Sequence, residues 1–151
     1  MLMTLIASLL LSQAPGSATV EVLPFDPTKL EGFEKVEVKL TEDGQAVTYQ
    51  GVALASLLEK QSKGAGTMPV LRSLSDAVLL VRGTDGYQAA VSAAAAAMDP
   101  KGARYLLAIA RDGKPLEQGQ GPVRLIIPGD TKHVRWVKDV KTIRLVRLDK
   151  L

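Results

Sequence analysis

The chain has 151 residues, of which 46% are hydrophobic, 23% are charged and none is cysteine, and its formal net charge is +3 at pH 7. This length suits a single domain that buries its core without disulfides or a structural metal. The mild charge and an aromatic content of 4% argue against a nucleic-acid-binding protein, which needs a clustered basic face with aromatic side chains that stack on bases.

The first 18 residues form an uncharged apolar run that ends in small residues. This pattern is typical of a secretory signal peptide cleaved after Ala18, with Gly16 and Ala18 at the two positions that must be small. No Lys or Arg precedes the run, and the alternative is a buried N-terminal helix; the run is shorter than the roughly 20 apolar residues of a membrane span. We predict a signal peptide at residues 1–18, one domain at residues 19–151, and a periplasmic or secreted protein with no membrane span after cleavage.

The first part of the predicted domain contains a hairpin followed by a helix. Apolar and charged residues alternate over residues 36–40, as in a half-buried strand, and Asp43-Gly44 provides a tight turn into residues 46–49. Leu54, Leu57, Leu58 and Gln61 then recur at helical spacing, before the glycines at positions 64 and 66.

The middle of the chain predicts a second hairpin and a second helix. Residues 77–81 are a compact apolar run, and the turn at residues 83–86 leads to a partner strand at residues 87–91. Ser92 is a suitable N-cap for a helix over residues 93–98, which Asp99-Pro100 would stop.

The last third predicts mainly strands. Residues 105–110 have the composition of a central strand, Asp112-Gly113 that of a turn, and residues 117–121 that of a Gly/Gln loop. Strands at residues 123–127 and 141–148 complete the pattern. The fold class predicted from this order is a single α+β domain with a mostly antiparallel or mixed sheet and a few short helices.

Seven basic residues near the C-terminus recur at every third position. A period of three matches neither a strand nor a helix, so these charges cannot form one continuous stripe on a regular element. They are Lys132, Arg135, Lys138, Lys141, Arg144, Arg147 and Lys150. We therefore expect no nucleic-acid partner.

Standard catalytic motifs are absent from the sequence. It has no Gly-x-Ser-x-Gly elbow, no His-Glu-x-x-His, no Gly-rich phosphate loop and no cysteine nucleophile. His133 is the only histidine, and one imidazole cannot form a metal site without several further ligands. We predict no catalytic residue and no metal ligand.

The most informative segment is Gly-Pro-Val-Arg-Leu-Ile-Ile-Pro-Gly-Asp-Thr-Lys-His-Val-Arg-Trp, at positions 121–136. It joins an arginine inside an apolar run to a second basic cluster through a Pro-Gly turn, which suits an anionic ligand. Arg124, His133 and Arg135 are therefore predicted to converge on one concave site, and Trp136 is predicted to be a core residue.

Four segments together resemble the molybdopterin-binding domain of sulfite oxidase-type oxidoreductases, in order and spacing, from about residue 36 to residue 148. They are Tyr-Gln-Gly-Val-Ala-Leu-Ala-Ser-Leu-Leu from position 49, Thr-Asp-Gly-Tyr from position 84, Leu-Leu-Ala-Ile-Ala-Arg-Asp-Gly-Lys-Pro-Leu from position 106, and the segment at positions 121–136. The resemblance implies the same fold and a molybdopterin cofactor.

The resemblance also implies roles for individual residues. Arg124 matches a family arginine on the pterin, His133 matches a family histidine, and the segment at positions 132–136 resembles one that wraps the phosphate-bearing end. Arg135 stands where lysine is usual, which keeps the charge and adds a planar fork that can bind phosphate bidentately. Gly119-Gln120 departs from the family pattern, which often has a histidine just before this motif.

Catalytic members of the family ligate molybdenum through a cysteine thiolate, and this chain has no cysteine. Three hypotheses follow. The chain is an exported module that binds a pterin or another anionic small molecule; it is a molybdenum-cofactor oxidoreductase, or a subunit of one, without a protein thiolate; or it is a periplasmic interaction domain with a vestigial pocket and a periplasmic partner protein.

Overall fold

The computed structural model describes residues 18–148 and shows two antiparallel sheets with three short helices. The strands are β1 (Ala18–Val22), β2 (Val36–Glu42), β3 (Gln45–Ala53), β4 (Ala77–Gly83), β5 (Gln88–Ser92), β6 (Leu106–Arg111), β7 (Lys114–Pro115), β8 (Arg124–Ile126) and β9 (Val140–Leu148). The helices are α1 (Leu54–Gln61), α2 (Met68–Ser73) and α3 (Ala93–Ala97), and a 3₁₀ turn spans His133–Arg135. The predicted α+β class is confirmed.

The first sheet has the strand order β1-β9-β4-β5. Leu79 of β4 lies opposite Leu145 of β9, and Val81 lies opposite Ile143, and all four side chains are fully buried. The hairpin predicted between residues 77 and 91 is confirmed as the pairing of β4 with β5. The predicted C-terminal strand is the center of this sheet, between β4 and β1.

The second sheet has the order β2-β3-β6-β7, with β8 also paired to β6. Its two tight turns fall at the predicted positions. Asp43 and Gly44 have φ values of 50° and 79°, and Asp112 and Gly113 have φ values of 51° and 79°. Two successive residues of positive φ match the right-handed twist of antiparallel strands, which explains why these dipeptides close hairpins.

The pairing of β3 with β6 shifts in register between Gln50 and Gly51. At this point the two backbones are so close that a Cβ on Gly51 would lie 2.0 Å from the carbonyl oxygen of Leu107. Only glycine permits that approach, since any side chain would overlap the neighboring strand.

The helices cover the core with small apolar faces. In α1 the side chains of Leu54, Leu57 and Leu58 are buried, as the predicted helical spacing requires. In α3 the Ser92 hydroxyl accepts a hydrogen bond from the backbone N–H of Ala95 at 3.2 Å, which confirms the predicted cap. Helix α2 was not predicted.

Most of the predicted signal peptide, at residues 1–17, lies outside the described residues, so its cleavage stays a prediction. Strand β1 begins at Ala18, the last residue of that predicted segment. Within residues 18–148, no helix is both long enough and apolar enough to cross a membrane.

Candidate anion-binding site

Arg124 opens the short strand β8, whose next two residues are fully buried. The strand pairs with β6, and Arg124 lies opposite Ala108. The apolar residues anchor the strand in the core, so the half-buried arginine that precedes them has a fixed backbone position.

Arg124 lines a pocket of about 650 Å³, called here the Arg124 pocket. Its wall combines basic, acidic and neutral side chains from β2, β3, the hairpin of β6 and β7, the loop before β8, β8 itself and the segment before β9. The basic ones are Arg111, Lys114, Arg124 and Lys138, the acidic ones are Glu42, Asp112 and Glu117, and the others are Tyr49, Pro115, Leu116 and Gln120. Basic groups therefore outnumber acidic groups by four to three.

Two of the three acidic groups already have partners in the protein. Glu42 accepts a hydrogen bond from the Tyr49 hydroxyl at 2.6 Å and lies 3.6 Å from the Arg111 Nε. Asp112 accepts a hydrogen bond from the backbone N–H of Thr48 at 2.9 Å. These contacts fix the positions of both carboxylates. Neither carboxylate forms an ion pair with Arg124 among the described residues.

The Nε of Arg124 is buried and has no hydrogen-bond partner within the described part of the chain. The Cζ atom lies 5.1 Å from the center of the Trp136 ring, so the guanidinium is held against an aromatic face. Buried donors in proteins are nearly always hydrogen-bonded, because an unpaired one loses its contacts with water without replacement. An anionic ligand in the pocket would supply the missing acceptor.

Gln120 presents a second unpaired atom on the same wall. Its side-chain Oε1 is buried and has no hydrogen-bond partner among residues 18–148. Its backbone N–H donates to Glu117 O at 3.0 Å, and its backbone carbonyl accepts from Asp139 N–H at 3.0 Å. These backbone contacts fix the loop that carries the Gln120 side chain.

Tyr49 is a neutral, buried hydrogen-bond donor at the base of this site. Burial, together with the hydrogen bond to Glu42, raises the pKa of Tyr49 to about 12, and the nearby Arg124 opposes that rise. The ring also packs edge-on against Trp136, with 6.2 Å between ring centers. Tyr49 therefore orients Glu42 and supports the indole that holds Arg124.

His133 stacks on Trp136 with the two ring centers 3.5 Å apart and the planes at 6°. The side chain of His133 is exposed, whereas Trp136 is only 4% exposed and donates its Nε1–H to Ile127 O at 2.9 Å. Trp136 is thus the predicted core residue, and it contacts both Arg124 and His133.

Arg135 is engaged by an acidic residue five positions earlier. Its Nε and Nη2 donate to the two carboxylate oxygens of Asp130 at 2.9 and 2.6 Å. These hydrogen bonds are the main cause that raises the pKa of Arg135 above its ordinary value. One edge of the planar fork that the sequence suggested for phosphate, formed by Nε and Nη2, is therefore used within the protein.

The three residues predicted to converge are distributed differently. Arg124 lines the Arg124 pocket, while His133 lines a second pocket of about 520 Å³ together with Asp130, and Glu42 borders both. Trp136 bridges the first two residues, and Asp130 binds Arg135. Their roles as cofactor ligands stay predictions, and of the two arginines only Arg135 forms an ion pair among the described residues.

A family model described as the oxidoreductase molybdopterin binding domain matches residues 30–150 of this chain. The chain belongs to this family. The match covers 121 of 151 residues and agrees with the resemblance seen from about residue 36 to residue 148. A search of curated proteins found no match.

The residues present fit one part of the cofactor that the family binds. The free guanidinium of Arg124 and the basic groups around it suit a phosphate group. The donor set for molybdenum does not fit, because the chain has no thiolate and no three His, Asp or Glu side chains cluster for a metal within residues 18–148.

Sequence reasoning missed several residues of the pocket. Arg111 and Lys114 flank the predicted turn at Asp112-Gly113, and β3 pairing places Arg111 opposite Tyr49. A signal was present, since two basic residues beside one hairpin turn must lie close together. The sequence alone gave no sign that this turn meets the loop before Arg124.

Proposed function

We propose that this protein is an exported binding module of the molybdopterin-binding oxidoreductase family that holds a pterin cofactor or another anionic small ligand at Arg124. The observation that carries the proposal is that Arg124 lines an open pocket while its buried Nε has no hydrogen-bond partner among residues 18–148. A vestigial pocket filled by side chains would offer no such combination.

The proposed binding works through charge and preformed geometry. Arg124 donates to a ligand oxygen, and Arg111, Lys114 and Lys138 raise the local concentration of anions around the pocket. Because Trp136 already holds the Arg124 guanidinium, little side-chain freedom is lost on binding. Acidic residues held by internal contacts compete weakly for that guanidinium.

The proposal contains no redox step. A thiolate-ligated molybdenum would supply oxidation and reduction chemistry in a catalytic member of the family, and this chain carries no cysteine. The alternative, an oxidoreductase or a subunit of one that binds the complete molybdenum cofactor, is favored by one observation, the family match over residues 30–150.

The experiment is purification of the protein from its native compartment, followed by mass spectrometry of the bound small molecules and elemental analysis. We expect an anionic small molecule at near one per chain, lost in an Arg124→Ala variant prepared in parallel, and no stoichiometric molybdenum. Molybdenum at near one atom per chain, with sulfite-dependent reduction of an artificial acceptor, would establish the alternative instead. A protein that carries no anion under any preparation would contradict both.

A further inference from the structure

We infer that this protein forms a symmetric dimer through the outer edge of β2, with the β2 strands of two copies paired antiparallel about Val38. The pairing joins the second sheets of the two copies into one continuous sheet. It does not depend on the ligand of the Arg124 pocket, because residues 36–40, which form the contact, do not line that pocket.

Strand β2 is the first strand in the order of the second sheet, so only one of its edges has a partner strand. Its ladder with β3 runs from Val36 to Glu42 without a register shift. On the other edge, the backbone of β2 makes no backbone hydrogen bond to another segment within residues 18–148. This edge therefore presents a row of N–H and C=O groups to which a second chain can bind.

The edge of β2 lacks the features by which proteins commonly protect a free edge. Proline, a bulge or a very short strand hinders pairing with another chain. At the other end of the same strand order, β7 has only two residues, and one of them is Pro115. Strand β2 has seven residues with no proline, and its ladder with β3 has no bulge. It is thus the regular, open edge of this sheet.

The charged residues of β2 favor a second copy of this chain as the partner. Glu37 and Lys39 are exposed, and neither forms an ion pair within the described part of the chain. When two β2 strands pair antiparallel with Val38 opposite Val38, Glu37 of each copy lies opposite Lys39 of the other. Opposite charges directly across a ladder stabilize the pairing, whereas like charges destabilize it.

The apolar residues of β2 match in the same register. Val36 of each copy lies opposite Leu40 of the other, on the face where Val38 belongs to the core. Val36 and Leu40 are only half-buried in the single chain. Pairing therefore removes further apolar surface from water, which favors the dimer.

Neighboring registers of the same pairing are unfavorable. A shift of two residues places either Glu37 opposite Glu37 or Lys39 opposite Lys39, which brings like charges together. A shift of one residue places the charged side chains of one copy on the apolar face of the other. The register about Val38 is the one in which all pairs over residues 36–40 are complementary.

The test measures the mass of the full chain in solution by sedimentation equilibrium over a series of protein concentrations. We expect a monomer–dimer equilibrium for the wild type. Lys39→Glu places two pairs of negative charges across the symmetric contact, so it should raise the dimer dissociation constant about tenfold or more. Glu37→Lys should have the same effect through two pairs of positive charges.

Charge exchange tests the register itself. The double variant with Glu37→Lys and Lys39→Glu restores opposite charges across the ladder and should dimerize like the wild type. An equimolar mixture of the two single variants should form a heterodimer, since each strand then carries charges of one sign. Lys63→Glu makes the same charge change at an exposed residue outside β2 and is the matched control, which should keep the wild-type dissociation constant. Circular dichroism checks that each variant folds.

A wild type that stays monomeric at the highest concentration would overturn the inference. A dimer whose dissociation constant is unchanged in Lys39→Glu would also overturn it, because that dimer would use another surface. If the double variant and the mixture both remain monomeric although the wild type dimerizes, the pairing about Val38 is wrong. None of these outcomes affects the proposed anion site, which phosphate binding tests separately.

Discussion

Two arginines of the same segment are placed differently, because only Arg135 has an ion-pair partner within residues 18–148. Arg135 is fixed by Asp130, whereas Arg124 lies against Trp136 with its Nε unpaired. The sequence identifies both as anion-binding candidates, since charge and side-chain geometry are the same. It could not show that Asp130, just after the Pro-Gly turn, points back to Arg135.

The neutral state of Tyr49 predicts a specific loss of stability in alkali. The pKa of Tyr49 is about 12 in the folded protein and near 10.0 in the unfolded chain. As the pH rises, the unfolded state therefore loses this proton first. The contribution of Tyr49 to the free energy of unfolding is fully present below pH 10.0 and is lost as the pH rises to about 12. We expect a decline on the order of 1 kcal/mol from this group.

Urea unfolding between pH 9 and pH 12 of the wild type and of Tyr49→Phe measures this contribution. The variant should start less stable, because Glu42 loses its donor, and should decline less steeply than the wild type. Tyr87→Phe, changed at an exposed tyrosine, is the control and should keep the Tyr49 contribution. Parallel declines in wild type and Tyr49→Phe would contradict the assignment.

At the scale of elements, the sequence predicts the hairpins and helices whose turns or caps depend only on residues next to each other in the chain. The hairpins at Asp43-Gly44 and Asp112-Gly113 and the cap at Ser92 need only neighboring residues to form. Strand β1 was missed because its first residue was assigned to the signal peptide and its pairing partner is β9, far along the chain. Helix α2, with six residues, is too short for a recognizable period.

Strand β8 is shorter than predicted for a physical reason that the sequence does not contain. Apart from the half-buried Arg124, the run at residues 123–127 is apolar and buried, but only Arg124–Ile126 pair with β6. Val123 instead bonds to Val140, and Leu125 also pairs with Val137. Burial alone therefore does not distinguish strand from the loop that continues it.

The close approach of β3 and β6 predicts that Gly51→Ala is strongly destabilizing. The new methyl group would lie 2.0 Å from the Leu107 carbonyl oxygen, which belongs to the backbone and cannot turn away. We expect a loss of about 1 to 3 kcal/mol or more in the free energy of unfolding, measured by urea denaturation.

Gly66→Ala is the matched control for this change. A Cβ on Gly66 would contact nothing within 4 Å, and its φ is not positive. Its stability should stay within about 0.5 kcal/mol of the wild type. If both alanine variants were equally stable, the proposed register of β3 on β6 would be wrong.

At the scale of the whole molecule, the pocket depends on contacts between distant parts of the chain. Glu42 ends β2, Arg111 ends β6, and Arg124 begins β8, so the wall forms only when the second sheet has assembled. Local patterns predict each strand, but the order of strands in a sheet follows from long-range packing. The candidate residues were accessible from sequence, and their grouping was not.

The predicted signal peptide determines where the mature chain should begin. We expect cleavage after Ala18, so that Thr19 becomes the first residue and β1 keeps four of its five residues paired to β9. Intact-mass measurement of the protein recovered from the exported fraction decides the point. An exported chain that still begins at Met1 would rule out cleavage, and a cleavage site within β1 would conflict with the pairing to β9.

The most direct test of ligand binding at Arg124 is a phosphate titration of the wild type, Arg124→Ala and Arg135→Ala. Binding is measured by calorimetry and by the fluorescence of Trp136, the only tryptophan in the sequence. Arg124→Ala should lose about 1.5 to 3 kcal/mol of binding free energy and the fluorescence response. Arg135→Ala should bind nearly as the wild type and lose at most about 1 kcal/mol of stability, since its ion pair is 41% exposed at the arginine. Unchanged affinity in Arg124→Ala, or a larger loss in Arg135→Ala, would contradict an anion site at Arg124.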